Sequence, residues 1–204
     1  MLSQERVQAL CTPHFPALYR LPMRAWDKYH GLLPTELLVA FHRRTRACGV
    51  HDLMALEAAK YAAEAEDVEF FDVNGMRGLI IADTLAIRMK KMDEDSLSRS
   101  QVTNQVQAFR DQIALAGCPT THNLEIGYVL NEAETSVAEI RLVSPSGCGI
   151  GWCMRLEDGD PIPVVTGFVL PAPDAPGLNI VPAKIEPKET GTVLPFRKAN
   201  EDED

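Results

Sequence analysis

Residues 68–112 of this chain read VEFFDVNGMRGLIIADTLAIRMKKMDEDSLSRSQVTNQVQAFRDQ. The first part holds three short runs rich in aromatic, β-branched and other apolar residues, which predict three strands. Asn74-Gly75, between the first two runs, is the strongest short hairpin signal in the chain, because both residue types tolerate positive φ. After a polar connection, Val106 and Phe109 recur at helical spacing, so the last part predicts a helix lying across the sheet.

The flanking sequence completes an α+β pattern. An Ala- and Glu-rich segment over 52–65 predicts a helix before the first strand, since both residue types are strong helix formers. Segments 123–130 and 137–143 predict paired strands, and 151–156 predicts a last strand. We therefore expect N-terminal helices and a mixed sheet whose core has the order helix–strand–strand–strand–helix–strand. A large group of nucleases has this topology.

The N-terminal part is expected to hold further helices. Residues 1–33 are interrupted by prolines and carry several aromatic rings, which predicts short helices packed on the main body. A helix is expected to begin at Pro34 and to end at Gly49, because proline favours a first turn and glycine a helix end. It would then form an antiparallel pair with the helix over 52–65.

Composition limits the classes of function. The chain has 204 residues and a formal net charge of −9, so nucleic-acid binding would need a local group of Lys and Arg. No apolar run reaches the ~18–20 residues that span a bilayer, and the first residues show no signal-peptide pattern. Five widely spaced cysteines favour free thiols. These features predict a cytoplasmic protein without a membrane partner.

The composition changes near Glu157. Eight of the 14 prolines lie between Pro161 and Pro195, and the chain ends in EDED. Sequence of this kind buries too little apolar surface to order itself. We therefore predict a single α+β domain over 1–157 and a Pro-rich, largely extended or disordered tail over 158–204.

Candidate catalytic residues lie on the strand over 85–90. Nucleases of this topology place an acid on one strand and, on the next, a carboxylate or amide followed two residues later by a Lys. Here Lys90 has the Lys position, whereas Arg88 stands where a ligand is expected and cannot bind a metal. The hypothesis assigns Asp72 and Asp83 as metal ligands, with Mg²⁺ as the candidate ion. Lys90 would stabilise developing charge, and Arg88 would contact phosphate.

Four further patterns bear on this hypothesis. Glu57 or Glu64 could add a ligand from the preceding helix. Arg88 and Lys90 could instead form the solvated face of an ordinary strand. The basic run 42–46, HRRTR, is the best local anchor for RNA or an acidic partner, although a solvated helix face explains it too. Three glutamines are expected on the helix after the strands: Gln101, Gln105 and Gln112. Some nucleases of this topology carry a Gln on the corresponding helix, but glutamine is also a good helix former, and that reading is preferred.

The segment 78–152 carries a resemblance to a known family. Its matching pieces are Gly78-Leu79-Ile80, Leu85-Ala86-Ile87-Arg88-Met89-Lys90, Phe109-Arg110-Asp111-Gln112, Leu124-Glu125-Ile126-Gly127-Tyr128, Pro145-Ser146-Gly147 and Trp152. These pieces resemble the toxin half of toxin–antitoxin modules of the RosmerTA type. Such toxins pair with an antitoxin that combines a helix-turn-helix domain and a zinc-peptidase-like domain. The family pattern identifies no catalytic residue to carry over.

Two functions follow as expectations. The first is a bacterial or phage toxin that its cognate antitoxin inactivates by direct binding and that acts on RNA or DNA as a metal-dependent nuclease. The alternative is a non-catalytic interaction or adaptor protein that binds a helix-turn-helix regulator through the strand face and the tail.

Overall fold

The computed structural model describes residues 2–98, 103–114 and 122–158, in which helices pack against a six-stranded sheet. The α-helices are α1 (Gln4–Cys11), α2 (Phe15–Leu32), α3 (Thr35–Ala40), α4 (Arg43–Glu64) and α5 (Asn104–Arg110). The strands are β1 (Val68–Val73), β2 (Met76–Ile81), β3 (Leu85–Lys91), β4 (His122–Leu130), β5 (Val137–Ser146) and β6 (Gly149–Leu156).

The sheet is mixed and follows the order of the chain. Its strands run β1-β2-β3-β4-β5-β6, and neighbours are antiparallel except for the parallel pair β3 and β4. A parallel pair needs a crossover connection, and α5 lies in the segment that connects these two strands. The predicted α+β class is confirmed, and α4-β1-β2-β3-α5-β4 has the expected core order.

Tight turns set the register of the first three strands. Val73 pairs with Met76, and both intervening residues, Asn74 and Gly75, have positive φ, as a two-residue type I′ turn requires. Between β2 and β3, Ala82 and Asp83 also have positive φ. The predicted hairpin at Asn74-Gly75 is therefore confirmed.

Both faces of β3 are covered. Leu85, Ile87 and Met89 belong to the main core together with residues of α2 and α4. Ala86 packs with Phe109 of α5 in a second cluster on the other face. The alternative of a solvated strand face is wrong for Arg88, which is among the five buried residues of β3, whereas Lys90 is half-buried.

The predicted helix end at Gly49 is also wrong. The helical conformation is interrupted instead at Phe41 and His42, which have extended backbone. α4 then runs through Gly49 to Glu64. A Cβ at position 49 would lie 2.6 Å from a ring carbon of Tyr29. Glycine is present here because α2 packs closely on α4, and these two helices form the main helix pair.

Some predictions fall partly or wholly outside the described residues. Gln101 and residues 159–204 of the predicted tail lie there, and so does Cys118. The other four cysteines are free thiols: Cys11, Cys48, Cys148 and Cys153. No helix within the described ranges combines the length and the apolar character that crossing a membrane requires.

Candidate functional site

The predicted catalytic strand carries a buried ion pair. Arg88 is 1% exposed and Glu125, the residue opposite it on β4, is 2% exposed. Arg88 Nε donates to Glu125 Oε1 at 2.9 Å, and Arg88 Nη2 donates to the same oxygen. A charged pair at this depth is tolerated only because each partner neutralises the other.

α5 and the segment after β3 close over this pair. The guanidinium of Arg88 lies 4.8 Å from the ring centroid of Phe109, close enough for a cation–π contact. Arg110 Nη2 donates to the Ser98 carbonyl at 2.6 Å, and Arg110 Nε lies 3.7 Å from Glu125 Oε1. We call Arg88, Arg110, Glu125 and Ser98 the Glu125 cluster. Its two guanidinium groups share one carboxylate.

Lys90 lies beside the Glu125 cluster and is half-buried. It has no ion-pair partner within the part of the chain that the structure describes. Burial, with a smaller contribution from the charge of Arg88, lowers the pKa of the Lys90 ammonium. Lys90 is therefore the one predicted catalytic residue whose environment suits chemistry.

The structure does not bring Asp72 and Asp83 together. Asp72 pairs with Arg77 near the start of β2, where its carboxylate accepts from Arg77 Nε at 3.0 Å and from the Gly75 amide at 3.1 Å. Asp83 follows Ile81, at the opposite end of β2. At ~3.3 Å per residue the two positions lie roughly 13 Å apart along the strand, whereas two ligands of one metal ion need oxygens within about 5 Å.

The donor set does not fit a Mg²⁺ ion. Glu57 on α4 accepts from Lys28 and Lys60, and Glu64 is exposed near the end of that helix. No three His, Cys, Asp or Glu side chains converge as metal ligands among residues 2–98, 103–114 and 122–158. The metal-ligand roles of Asp72 and Asp83 therefore stay predictions without geometric support.

Two of the predicted glutamines fasten the α5 segment to the sheet. Gln112 Nε2 donates to the carbonyls of Asn123 and Pro145 at 2.9 and 3.0 Å, and Gln112 Oε1 accepts from the Asn123 amide at 2.8 Å. Gln105 Nε2 donates to the Val73 carbonyl at 2.8 Å. Helix propensity did not predict these bonds, which hold the cover of the Glu125 cluster in place.

The basic run 42–46 lies at the start of α4. Arg43 and Arg46 both contact Glu134, which belongs to the β4–β5 turn. Lys91 of β3 contacts the same carboxylate. We call these four residues the Glu134 cluster. Two arginines of the run thus have an ion-pair partner, while residues 42–45 are exposed to solvent.

The sequence reading missed both central carboxylates. Glu125 stands in the strand sequence HNLEIGYVL, where a lone acid among apolar residues signals a buried partner of opposite charge. Glu134 has no comparable signal, because an acid in a polar turn is ordinary. Only the fold brings it to the arginines of α4.

Comparison of this chain with protein-family models, with curated proteins and with solved structures finds no match. The function is therefore inferred from the residues themselves.

Proposed function

We propose that this protein acts by binding other molecules, not by metal-dependent hydrolysis, as the toxin of a bacterial or phage toxin–antitoxin pair. The observation that carries the first part is the buried bond between Arg88 and Glu125. It fills the strand position at which related nuclease topologies hold a metal ligand.

The charges around Arg88 disfavour a divalent cation. Glu125 is the carboxylate nearest to Arg88, and Arg110 competes for it. A metal ion at this place would meet two guanidinium charges and would have to displace Arg88 from a dry site, leaving it unpaired at a cost of several kcal/mol. The Glu125 cluster therefore supports the fold rather than a metal-dependent reaction, and binding would use the surface of the protein.

Exposed apolar residues near the end of α2 and on α3 are compatible with a protein partner. Leu32 at the end of α2 is 69% exposed, and Leu37 and Val39 of α3 are 43% and 82% exposed. Leu37 and Val39 lie on different sides of their helix, so each would contribute separately to such an interface. An antitoxin with a helix-turn-helix domain and a zinc-peptidase-like domain is the partner that the resemblance of residues 78–152 implies.

Expression with and without the gene's neighbour tests the pair. We expect growth arrest when this protein is expressed alone and growth when a neighbouring gene of the antitoxin type is co-expressed. Val39→Glu should weaken co-purification with that antitoxin, whereas the control Glu36→Gln on the same short helix should leave it unchanged. Harmless expression of the wild-type protein alone would contradict the toxin proposal.

The nuclease remains a second candidate because of Lys90, which has no ion-pair partner among the described residues, so that its ammonium is available to stabilise developing negative charge. In that case Lys90→Ala and Asp83→Ala would abolish both toxicity and Mg²⁺-dependent cleavage of RNA or DNA. The control Lys60→Ala would abolish neither. Under our proposal both variants fold and stay toxic, and Mg²⁺ produces no saturable heat in calorimetry.

A further inference from the structure

The Glu134 cluster has more cationic groups than its carboxylate can neutralise. Glu134 Oε2 lies 3.2 Å from Arg43 Nε and 3.3 Å from Arg46 Nη2, and Glu134 Oε1 accepts from Lys91 Nζ at 2.9 Å. Three cations therefore share one carboxylate on the surface of a protein whose net charge is −9. Arg43 is 75% exposed, so part of this charge faces solvent.

The start of α4 adds to the positive potential. This helix has 22 residues, and its first turn carries Arg43, Arg44 and Arg46 without any acidic residue. Cations at a helix N-terminus oppose the macrodipole, which favours anions there. The arrangement costs stability unless an anion lies close by, and Glu134 supplies one negative charge.

A small cavity beside the cluster is lined by a tyrosine whose buried hydroxyl has no acceptor. Trp26, Tyr29 and Tyr128 line it together with the four residues of the Glu134 cluster. The cavity volume is about 10 Å³, which is room for about one water molecule. The Tyr29 hydroxyl is buried and has no hydrogen-bond partner in the described structure. Burial raises the pKa of Tyr29, and the charge of Arg46 acts in the opposite direction.

We propose that the Glu134 cluster is a binding site for a phosphate group, and that Glu134 is a built-in anion that occupies the site when no ligand is bound. The ligand would bind Arg43, Arg46 and Lys91 in place of the Glu134 carboxylate. The proposal does not depend on the toxin function, because it is argued from the contacts of the Glu134 cluster and not from the exposed apolar residues or from the resemblance of residues 78–152.

The donors favour phosphate over a carboxylate ligand. Both Glu134 oxygens are already in contact with the three cations, and the Tyr29 hydroxyl still lacks an acceptor. An acidic peptide would bring the same two oxygens and leave the same deficit. A phosphate group presents at least one more acceptor oxygen, and arginine forks match its geometry.

Glu134 is placed where it could leave the site. It belongs to the turn that joins β4 and β5, and its φ of 54° is unfavourable for a residue with a side chain. Its amide donates to the Asn131 carbonyl at 2.8 Å, within the same turn. Side-chain rotation of Glu134 would open the cluster without moving the sheet.

Binding of a fluorescein-labelled single-stranded oligonucleotide to the full chain tests the proposal by anisotropy at low salt. We expect Glu134→Gln to bind the oligonucleotide about tenfold more tightly than the wild-type protein. The matched control is Glu139→Gln, because Glu139 also pairs with two arginines, Arg141 and Arg155, at another place on the sheet. This control should bind like the wild type.

Two variants in the Glu134→Gln background show whether the named donors are used. Arg46→Ala should return the affinity to the wild-type level or below, and Tyr29→Phe, which keeps the ring, should lower it about threefold. Circular dichroism melting establishes that each variant is folded. Unchanged affinity in folded Arg46→Ala protein would overturn the proposal, and so would Glu134→Gln binding no tighter than Glu139→Gln.

Two further ligands identify the source of the phosphate. Inorganic phosphate that binds Glu134→Gln in calorimetry and displaces the oligonucleotide indicates a small phosphorylated ligand. Oligonucleotide binding that inorganic phosphate does not displace indicates a nucleic-acid backbone. Either outcome supports a phosphate site, whereas stronger binding of an acidic peptide of equal charge would overturn it.

Discussion

The Glu125 and Glu134 clusters use the same chemistry at different depths. In each cluster one glutamate contacts two arginines that belong to other secondary-structure elements. Glu125 and Arg88 are almost completely buried, whereas the Glu134 side chain is 21% exposed and Arg43 is 75% exposed. We infer from this difference in burial that the ion pairs of Glu125 must stay formed in the folded protein, whereas a ligand can replace the Glu134 carboxylate.

The reason is the cost of an unpaired charge. A guanidinium in a dry core that loses its carboxylate has no water to replace it. A guanidinium at the surface is rehydrated at once, so that its ion pair contributes little. We therefore regard the Glu125 cluster as scaffold and the Glu134 cluster as the group available for binding.

The largest effect is expected from Glu125→Gln. This change leaves the Arg88 charge buried without a counter-ion, so it should lower the free energy of unfolding by about 3–5 kcal/mol. Denaturant unfolding followed by circular dichroism measures it. A loss below about 1 kcal/mol would mean that the pair is not the buried scaffold we describe.

Removing both charged groups shows whether Glu125→Gln loses stability because Arg88 is left unpaired or because side-chain packing is lost. The double variant Arg88→Met with Glu125→Leu should be more stable than Glu125→Gln, because it leaves no unpaired charge at Arg88. Part of the loss should persist, since Arg110 also lies near Glu125. A double variant less stable than Glu125→Gln would contradict this reasoning.

An intermediate loss of stability is expected when the α5 segment, which covers the Glu125 cluster, loses its hydrogen bonds to the sheet. Gln112→Ala removes three hydrogen bonds to the backbones of β4 and β5 and leaves the Asn123 amide without its acceptor. We expect a loss of roughly 1–3 kcal/mol and faster hydrogen exchange of the α5 amides. The control Gln107→Ala removes only exposed hydrogen bonds to the two oxygens of Asp111 and should have little effect.

The smallest effect on stability is expected at the surface cluster. Glu134→Gln should change the free energy of unfolding by less than about 1 kcal/mol at neutral pH. The hydrogen bond from Lys91 lowers the pKa of Glu134 below its ordinary value of 4.5. The ionised Glu134 carboxylate therefore stabilises the folded protein above pH 4.5, and this stabilisation is lost as the pH falls through the lowered pKa. The stability difference between wild type and Glu134→Gln should therefore vanish in acid. A difference that grows as the pH falls would mean that the pKa of Glu134 is not lowered in the folded protein.

Local signals in the sequence were enough for the sheet but not for the clusters. Asn74-Gly75 and the apolar runs predict the first hairpin and the strand order, because these depend on neighbouring residues. Gly49 misled the helix prediction, because its role is to admit the Tyr29 ring from α2. The burial of Arg88 likewise depends on a residue that is distant in sequence, because its partner Glu125 is 37 residues away.

The most direct test of the contrast is to observe the arginine side chains of both clusters in one sample. Nε–Hε NMR spectra of Glu134→Gln protein, recorded while the oligonucleotide is added, report on Arg43, Arg46, Arg88 and Arg110 together. We predict that the signals of Arg43 and Arg46 shift with saturation and that those of Arg88 and Arg110 stay in place. Shifts of Arg88 and Arg110, with Arg43 and Arg46 unchanged, would contradict the account.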